Sequence, residues 1–197
     1  MIILISNLSE IFHKLPLKNL KKIALISNAK DKNKNRLLSI KKYKNFFINN
    51  NYDVDIVDLK NFKRDKLYKK LLRYDIIFVM GGNCFYLLDL IRKSGFDKIL
   101  DSLLKEGIIY IGQSAGACIM GSSIEPIKPM HEPTNTNLKN FEGLGYLDYV
   151  FVPHYKNPKY NKALEQIEQK YNNSFNLKKF KDSQGLIINK KSIITIG

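Results

Sequence analysis

Residues 112–116 read Gly-Gln-Ser-Ala-Gly. A serine hydroxyl attacks a carbonyl only when a base takes its proton and a third group steadies that base. The G-x-S-x-G spacing suits this chemistry when it joins a strand to a helix, because the tight turn lifts the hydroxyl above the sheet. The flanks fit that layout. Gly107-Ile108-Ile109-Tyr110-Ile111 is an apolar, β-branched run that reads as a buried strand, and Ala117-Cys118-Ile119-Met120 suits a first helical turn packed on a sheet. The helix start would offer unpaired N–H groups and a positive dipole end to a developing oxyanion. Ser114 is therefore the candidate nucleophile, although the pentapeptide alone is a weak signal, since Gly and Ser turns are common.

The base must come from three histidines, His13, His131 and His154. His154 follows the apolar run 149–152, and strand ends that meet at one edge of an α/β sheet are where sites assemble. His13 reads as a surface residue. His131 lies in the polar loop 127–140 and could line a site, but no strand positions it.

The elements that must hold these residues alternate along the chain. Strands are predicted at 2–6, 22–27, 54–58, 75–80, 108–112 and 145–152, with a C-terminal pair at 185–189 and 192–196 joined through Lys190-Lys191. Helices are predicted at about 36–50, 62–73, 83–94, 96–106, 114–120 and 158–171. Such alternation argues for a three-layer α/β sandwich, a mainly parallel sheet with helices on both faces. Its ligands would bind beyond the carboxyl ends of the strands, where Gly81, Ser114 and His154 fall. The loop 121–140, with three prolines, is the expected substrate-contacting segment.

Composition narrows the field. At 197 residues the chain is expected to form one domain, 1–197, with a sizeable core. A hydrophobic content of 44% excludes a disordered protein, and no apolar run approaches the ~20 residues of a membrane span. Cys84 and Cys118 show neither a metal-ligand nor a disulfide-framework pattern, so a cytoplasmic setting is expected and no metal or cofactor is implied. The net charge of +15 is nearly all lysine, scattered and interleaved with Asn and Asp as on a solvated face. Specific nucleic-acid recognition is therefore not expected, and weak, salt-sensitive association with polyanions is.

Four short motifs in order carry a resemblance: Gly81-Gly82-Asn83-Cys84-Phe85-Tyr86-Leu87-Leu88, Tyr110-Ile111-Gly112-Gln113-Ser114-Ala115-Gly116-Ala117, Gly143-Leu144-Gly145 and Pro153-His154-Tyr155. Together they resemble the S51 serine peptidases, which include dipeptidase E, an aspartyl dipeptidase, and the related cyanophycinases. The likeness covers about residues 20 to 195 and is most specific between 75 and 156. The 40-residue separation of Ser114 and His154 fits that family and disfavours an ordinary α/β-hydrolase.

The resemblance implies a class I glutamine amidotransferase-like fold and a role for each matching position. Ser114 would be the nucleophile and His154 the general base. The backbone amides of Gly81, Gly82 and Ala115 would form the oxyanion hole, while Asn83, Tyr155 and Lys156 would contact substrate. The family places its triad acid between Ser and His; Glu132 is the choice there, with Glu125 the competitor and Glu142 third. The chain departs from the family at Met80, in place of a first glycine, and at Cys84, in place of a threonine. It has no arginine after Arg92 to hold a substrate carboxylate, and Lys156, Lys159 or Lys128 would have to substitute without the bidentate fork. Asp-X specificity is therefore open.

Two classes of function follow. One is a serine peptidase of small peptides working through a Ser-His-Glu triad and an acyl-enzyme. The other is a noncatalytic or ligand-binding amidotransferase-like protein; a serine hydrolase of a non-peptide acyl substrate is the variant of the first. A serine at the elbow disfavours glutaminase chemistry, which uses cysteine there. The expected partner is a small peptide, with no membrane and a homodimer left open.

Overall fold

The computed structural model describes residues 1–133, 136–189 and 192–197. Among these, the strands are β1 (Ile2–Ile5), β2 (Lys22–Ile26), β3 (Asp53–Ile56), β4 (Ile76–Val79), β5 (Ile109–Gln113), β6 (Val150–Val152), β7 (Leu177–Lys179), β8 (Gly185–Asn189) and β9 (Ser192–Ile196). The helices are α1 (Leu8–Ile11), α2 (Arg36–Asn49), α3 (Arg64–Leu71), α4 (Cys84–Ser94), α5 (Phe96–Lys105), α6 (Ala115–Cys118) and α7 (Asn161–Tyr171).

Seven strands form one sheet in the order β3-β2-β4-β5-β1-β8-β9. The first five in that order run parallel, and β8 and β9 are antiparallel additions. β1, β4 and β5 are buried along their whole length, as strands covered on both faces must be, so they read as unbroken apolar runs. Alternate side chains serve two cores. Ile3, Ile5, Leu25, Phe78 and Ile111 pack with Ile40 and Phe47 of α2. Leu4, Ile26, Ile77, Val79 and Tyr110 pack with Phe85 and Ile91 of α4 and Leu100 and Leu103 of α5. This is the α/β architecture that the alternation predicts.

Besides the short helix α1, which the predicted elements do not include, the departures lie near the C-terminal half. The strand expected over 145–152 shortens to β6. Gly145 has a φ of +73°, and the amides of Gly145 and Leu147 donate to the carbonyls of Gly121 and Met120 rather than to a sheet. β6 then leaves the main sheet and pairs in parallel with β7, a strand that the sequence reading did not contain, with Val152 opposite Lys179. The helix expected over 158–171 begins with a 3₁₀ turn at Pro158–Tyr160 before α7. The Lys190-Lys191 connection lies outside the described residues.

Candidate active site

Ser114 sits between β5 and α6 with φ +49° and ψ −106°. A non-glycine residue held at such an angle costs about 1–3 kcal/mol and needs firm surroundings. They are provided by close backbone approaches on either side. A Cβ on Gly116 would come within 2.5 Å of the Val79 carbonyl oxygen, and one on Gly112 within 2.3 Å of the Gly116 carbonyl oxygen. Both glycines of G-x-S-x-G are therefore demanded by packing of strand, turn and helix. Gly81, just beyond β4, lies against the serine, where a Cβ would stand 3.0 Å from the Ser114 Cβ.

His154 follows β6 and also has a positive φ, +62°. Its Nε2 is 2.9 Å from the Ser114 Oγ. Its ring stacks on Tyr160 with centroids 4.4 Å apart and planes 10° from parallel. The other ring nitrogen, Nδ1, lies 2.6 Å from Oδ1 of Asp182. Burial pushes the Asp182 carboxyl up, but hydrogen bonds from His154, Asn157 and Ser6, together with the attraction of His154, outweigh it and hold the group below the usual carboxylate range. An ionised carboxylate only accepts hydrogen bonds, so the proton belongs on Nδ1, which leaves Nε2 free to accept from the serine hydroxyl.

Topology explains how Asp182 arrives there. Because β8 runs antiparallel to β1, with Gly185 opposite Ile5, the segment entering β8 lies at the carboxyl edge of the parallel strands. The β6–β7 pair meanwhile carries the two chain segments side by side, continued by hydrogen bonds from the Phe180 amide to the Val152 carbonyl and from the Tyr155 amide to the Phe180 carbonyl. His154 and Asp182, 28 residues apart in sequence, leave this ladder together.

The expectation of Glu132 beside the imidazole is not met. Its side chain is exposed, the Nδ1 position is taken by Asp182, and its carbonyl accepts a 2.9 Å hydrogen bond from the Asn83 side chain. Glu125 instead pairs with Lys128 at 2.9 Å, and Glu142 is exposed, its carbonyl taken by Arg92. The resemblance points only to an acid between Ser114 and His154, whereas Asp182 lies beyond both in the chain. The signal that marks Asp182 is its place in the polar stretch just before a strand that returns beside β1.

A cavity of about 670 Å³ opens over the serine, lined by Gly81, Gly82, Gln113, Ser114, His154 and Asp182, with Lys30, His131, Lys159 and Tyr160 among the other wall residues. Three of the expected substrate contacts lie elsewhere. Asn83 caps α4, its Oδ1 accepting from the amides of Phe85 and Tyr86, so both ends of its amide are engaged. Tyr155 and Lys156 are outside the lining, Lys156 exposed on a turn of positive φ with its ammonium over the Tyr155 ring. His13 is exposed on a 3₁₀ turn.

His131 does line the cavity, and burial, with the charges of Lys30 and His154, pushes its imidazole down to about 4. Burial and the nearby Lys159 also lower the Lys30 ammonium from its usual value. Among the described residues neither lysine forms an ion pair with a carboxylate, and the one acid in the cavity wall, Asp182, is already engaged by His154, Ser6 and Asn157. Cys84 and Cys118 are free and buried, with burial pushing the Cys84 thiol up to about 12, so neither is a candidate nucleophile. No group of three or more potential metal ligands occurs among the described residues.

The model of peptidase family S51 matches residues 5–196. The chain belongs to that family. It is 30% identical over 140 residues to an uncharacterized peptidase of Listeria innocua, covering 71% of this chain and 67% of that one. A peptidase E of Streptomyces coelicolor is 34% identical over 86 residues, covering 43% of this chain and 33% of the relative. A crystal structure of a Listeria monocytogenes protein provisionally called peptidase E superposes with a TM-score of 0.84 at 26% identity, over 98% of this chain and 96% of that one. A peptidase from an acI-B1 Actinobacterium shares the fold, with a TM-score of 0.73 at 16% identity over 100% and 86% of the two chains. The protein is a serine-type peptidase, and thus a hydrolase. No helix among the described residues is long and apolar enough to cross a membrane.

Proposed function

We propose that this protein hydrolyses small peptides, as a dipeptidase E-like enzyme, through Ser114, His154 and Asp182. The observation that carries the reading is the unbroken series of contacts from the Ser114 Oγ to His154 Nε2 at 2.9 Å and from His154 Nδ1 to Asp182 at 2.6 Å. As Ser114 Oγ bonds to the scissile carbonyl carbon, its proton passes to Nε2, and Asp182 steadies the imidazolium. The carbonyl oxygen, now an anion, is received by the backbone amides of Ala115 and the Gly81–Gly82 turn. When the tetrahedral adduct collapses, the C–N bond breaks and Nε2 gives its proton to the leaving amine. Water, activated by the same nitrogen, then releases the acyl group and restores Ser114.

The preference proposed is for an acidic group on the substrate. Lys30 and Lys159 face the cavity without a carboxylate partner, so an anionic substrate would relieve their mutual repulsion. Of the lysines expected to stand in for the missing arginine, Lys159 lines the cavity while Lys156 and Lys128 do not, and Lys30 joins it, each as a point charge without a guanidinium fork. The two free, buried thiols support a cytoplasmic setting.

The test is labelling with a serine-reactive fluorophosphonate, followed by a panel of Asp-X, Glu-X and neutral dipeptides, on wild type and Ser114→Ala. Labelling and cleavage that both vanish in the variant support the reading. Labelling with no dipeptide cleaved would redirect it to a non-peptide acyl substrate, and labelling that survives the substitution would end it.

A further inference from the structure

We propose that Ser6 is a positioning residue of this site, its hydroxyl tying the backbone of His154 to the carboxylate of Asp182. The inference rests on the Ser114–His154–Asp182 reading and extends it to a residue at the opposite end of the chain. Ser6 follows β1 directly and is fully buried. Its Oγ accepts the His154 backbone N–H at 2.7 Å and donates to Oδ1 of Asp182 at 3.0 Å. The same oxygen lies 3.4 Å from His154 Nδ1, and the Ser6 amide donates to the Gln184 carbonyl at 3.2 Å. The side chain of Ser6 thus touches both partners of the imidazole–carboxylate pair, and its main chain holds the segment that delivers the carboxylate.

The chemistry of these contacts is specific to a hydroxyl. His154 has a positive φ, a conformation that its side chain does not favour. The hydrogen bond on its amide holds the backbone in that conformation, and so fixes where Nε2 points. The hydroxyl proton, committed to Oδ1, shares that oxygen with Nδ1–H, while Asn157 Nδ2 holds Oδ2 at 2.6 Å. Asp182 therefore cannot rotate away from the ring without breaking two other hydrogen bonds. Groups that orient a functional side chain in this way commonly change its efficiency by about 10–100-fold when removed. An alanine here would leave the His154 N–H buried without an acceptor. It would also leave the carboxylate with one donor fewer, hence more charge to hold the imidazolium proton.

The experiment measures the rate constant for fluorophosphonate labelling of Ser114 as a function of pH, which needs no knowledge of the natural substrate. Ser6→Ala and Ser6→Cys are compared with wild type, each also in an Asp182→Ala background; the thiol keeps the shape of the hydroxyl with a much weaker donor. The expected result is a fall of about tenfold or more in both single variants, with the acid limb of the profile moved to higher pH. The fall should be clearly smaller when Asp182 is already alanine, because much of the action of Ser6 passes through that carboxylate. Labelling within about twofold of wild type, or an equal loss in both backgrounds with an unmoved acid limb, would reduce Ser6 to ordinary core packing and overturn the proposal. An Asp182→Ala enzyme labelled at the wild-type rate would instead bring down the triad reading beneath it.

Discussion

Two sets of residues around the cavity above Ser114 are built on opposite principles. In one, Ser114, His154, Asp182, Ser6 and Asn157 are joined by contacts of 2.6–3.4 Å, and each polar group answers another. In the other, Lys30, Lys159 and a neutral His131 line the same space with no carboxylate against them among the described residues. On the proposed reading the first set is arranged before substrate arrives, as catalysis by preorganised dipoles requires, and the second awaits an anionic group from the substrate. Reactivity and selectivity would then be separable, and substitutions should sort by set.

The largest effect belongs to the hydrogen-bonded set. Ser114→Ala should reduce peptide turnover by about 10⁴-fold or more, and Asp182→Asn should follow with a loss of about 10³–10⁴-fold in kcat, because an amide facing Nδ1 can stabilise the wrong tautomer. Steady-state kinetics with circular dichroism to verify folding would check both; a fully active Asp182→Asn enzyme would break the comparison at its stronger end. Next come Lys30→Met and Lys159→Met together, expected to raise KM for Asp-X dipeptides by roughly tenfold or more while leaving kcat and neutral dipeptides little changed. An equal loss on acidic and neutral substrates would erase the distinction between the two sets.

A smaller effect concerns stability. The folded His131 holds its proton less tightly than the unfolded chain does, its imidazole standing at about 4 against the ordinary 6.5. Between those values the unfolded state binds more protons, so the protein should lose stability as pH falls from about 6.5 through about 4. Above 6.5 this residue should add no pH dependence. Thermal melts of wild type and His131→Asn should therefore diverge in slope across that window and run parallel above it. The smallest effect is expected at Glu132, where Glu132→Ala should keep turnover within about twofold, since the contact it makes to Asn83 uses its main-chain carbonyl. A strong loss there would restore Glu132 to the chemistry and remove Asp182 from it.

The sequence was most legible where local rules govern. The apolar runs of β1, β4 and β5, the helix α4 and the glycines around Ser114 all follow from neighbours within a few positions, and each appears where the pattern puts it. The run over 145–152 misled because an apolar pattern cannot say which sheet a strand joins. Main-chain hydrogen bonds to Met120 and Gly121 hold its first half out of any ladder. The three expected substrate contacts at 83, 155 and 156 were named from motif adjacency, and adjacency in sequence does not fix which way a side chain turns.

What the chain determined by itself was the candidate nucleophile, its elbow, the imidazole 40 residues on and the α/β frame that brings strand ends together. The period of the strands and the sterics of the turn are short-range properties written into consecutive residues. Only the tertiary structure decided that Asp182, not Glu132, faces Nδ1, that Ser6 reaches both partners, and that Lys30 shares a cavity with Lys159. Those pairings span up to 176 positions along the chain. They exist because β8 returns antiparallel beside β1 and β7 pairs with β6, long-range closures that local pattern does not encode.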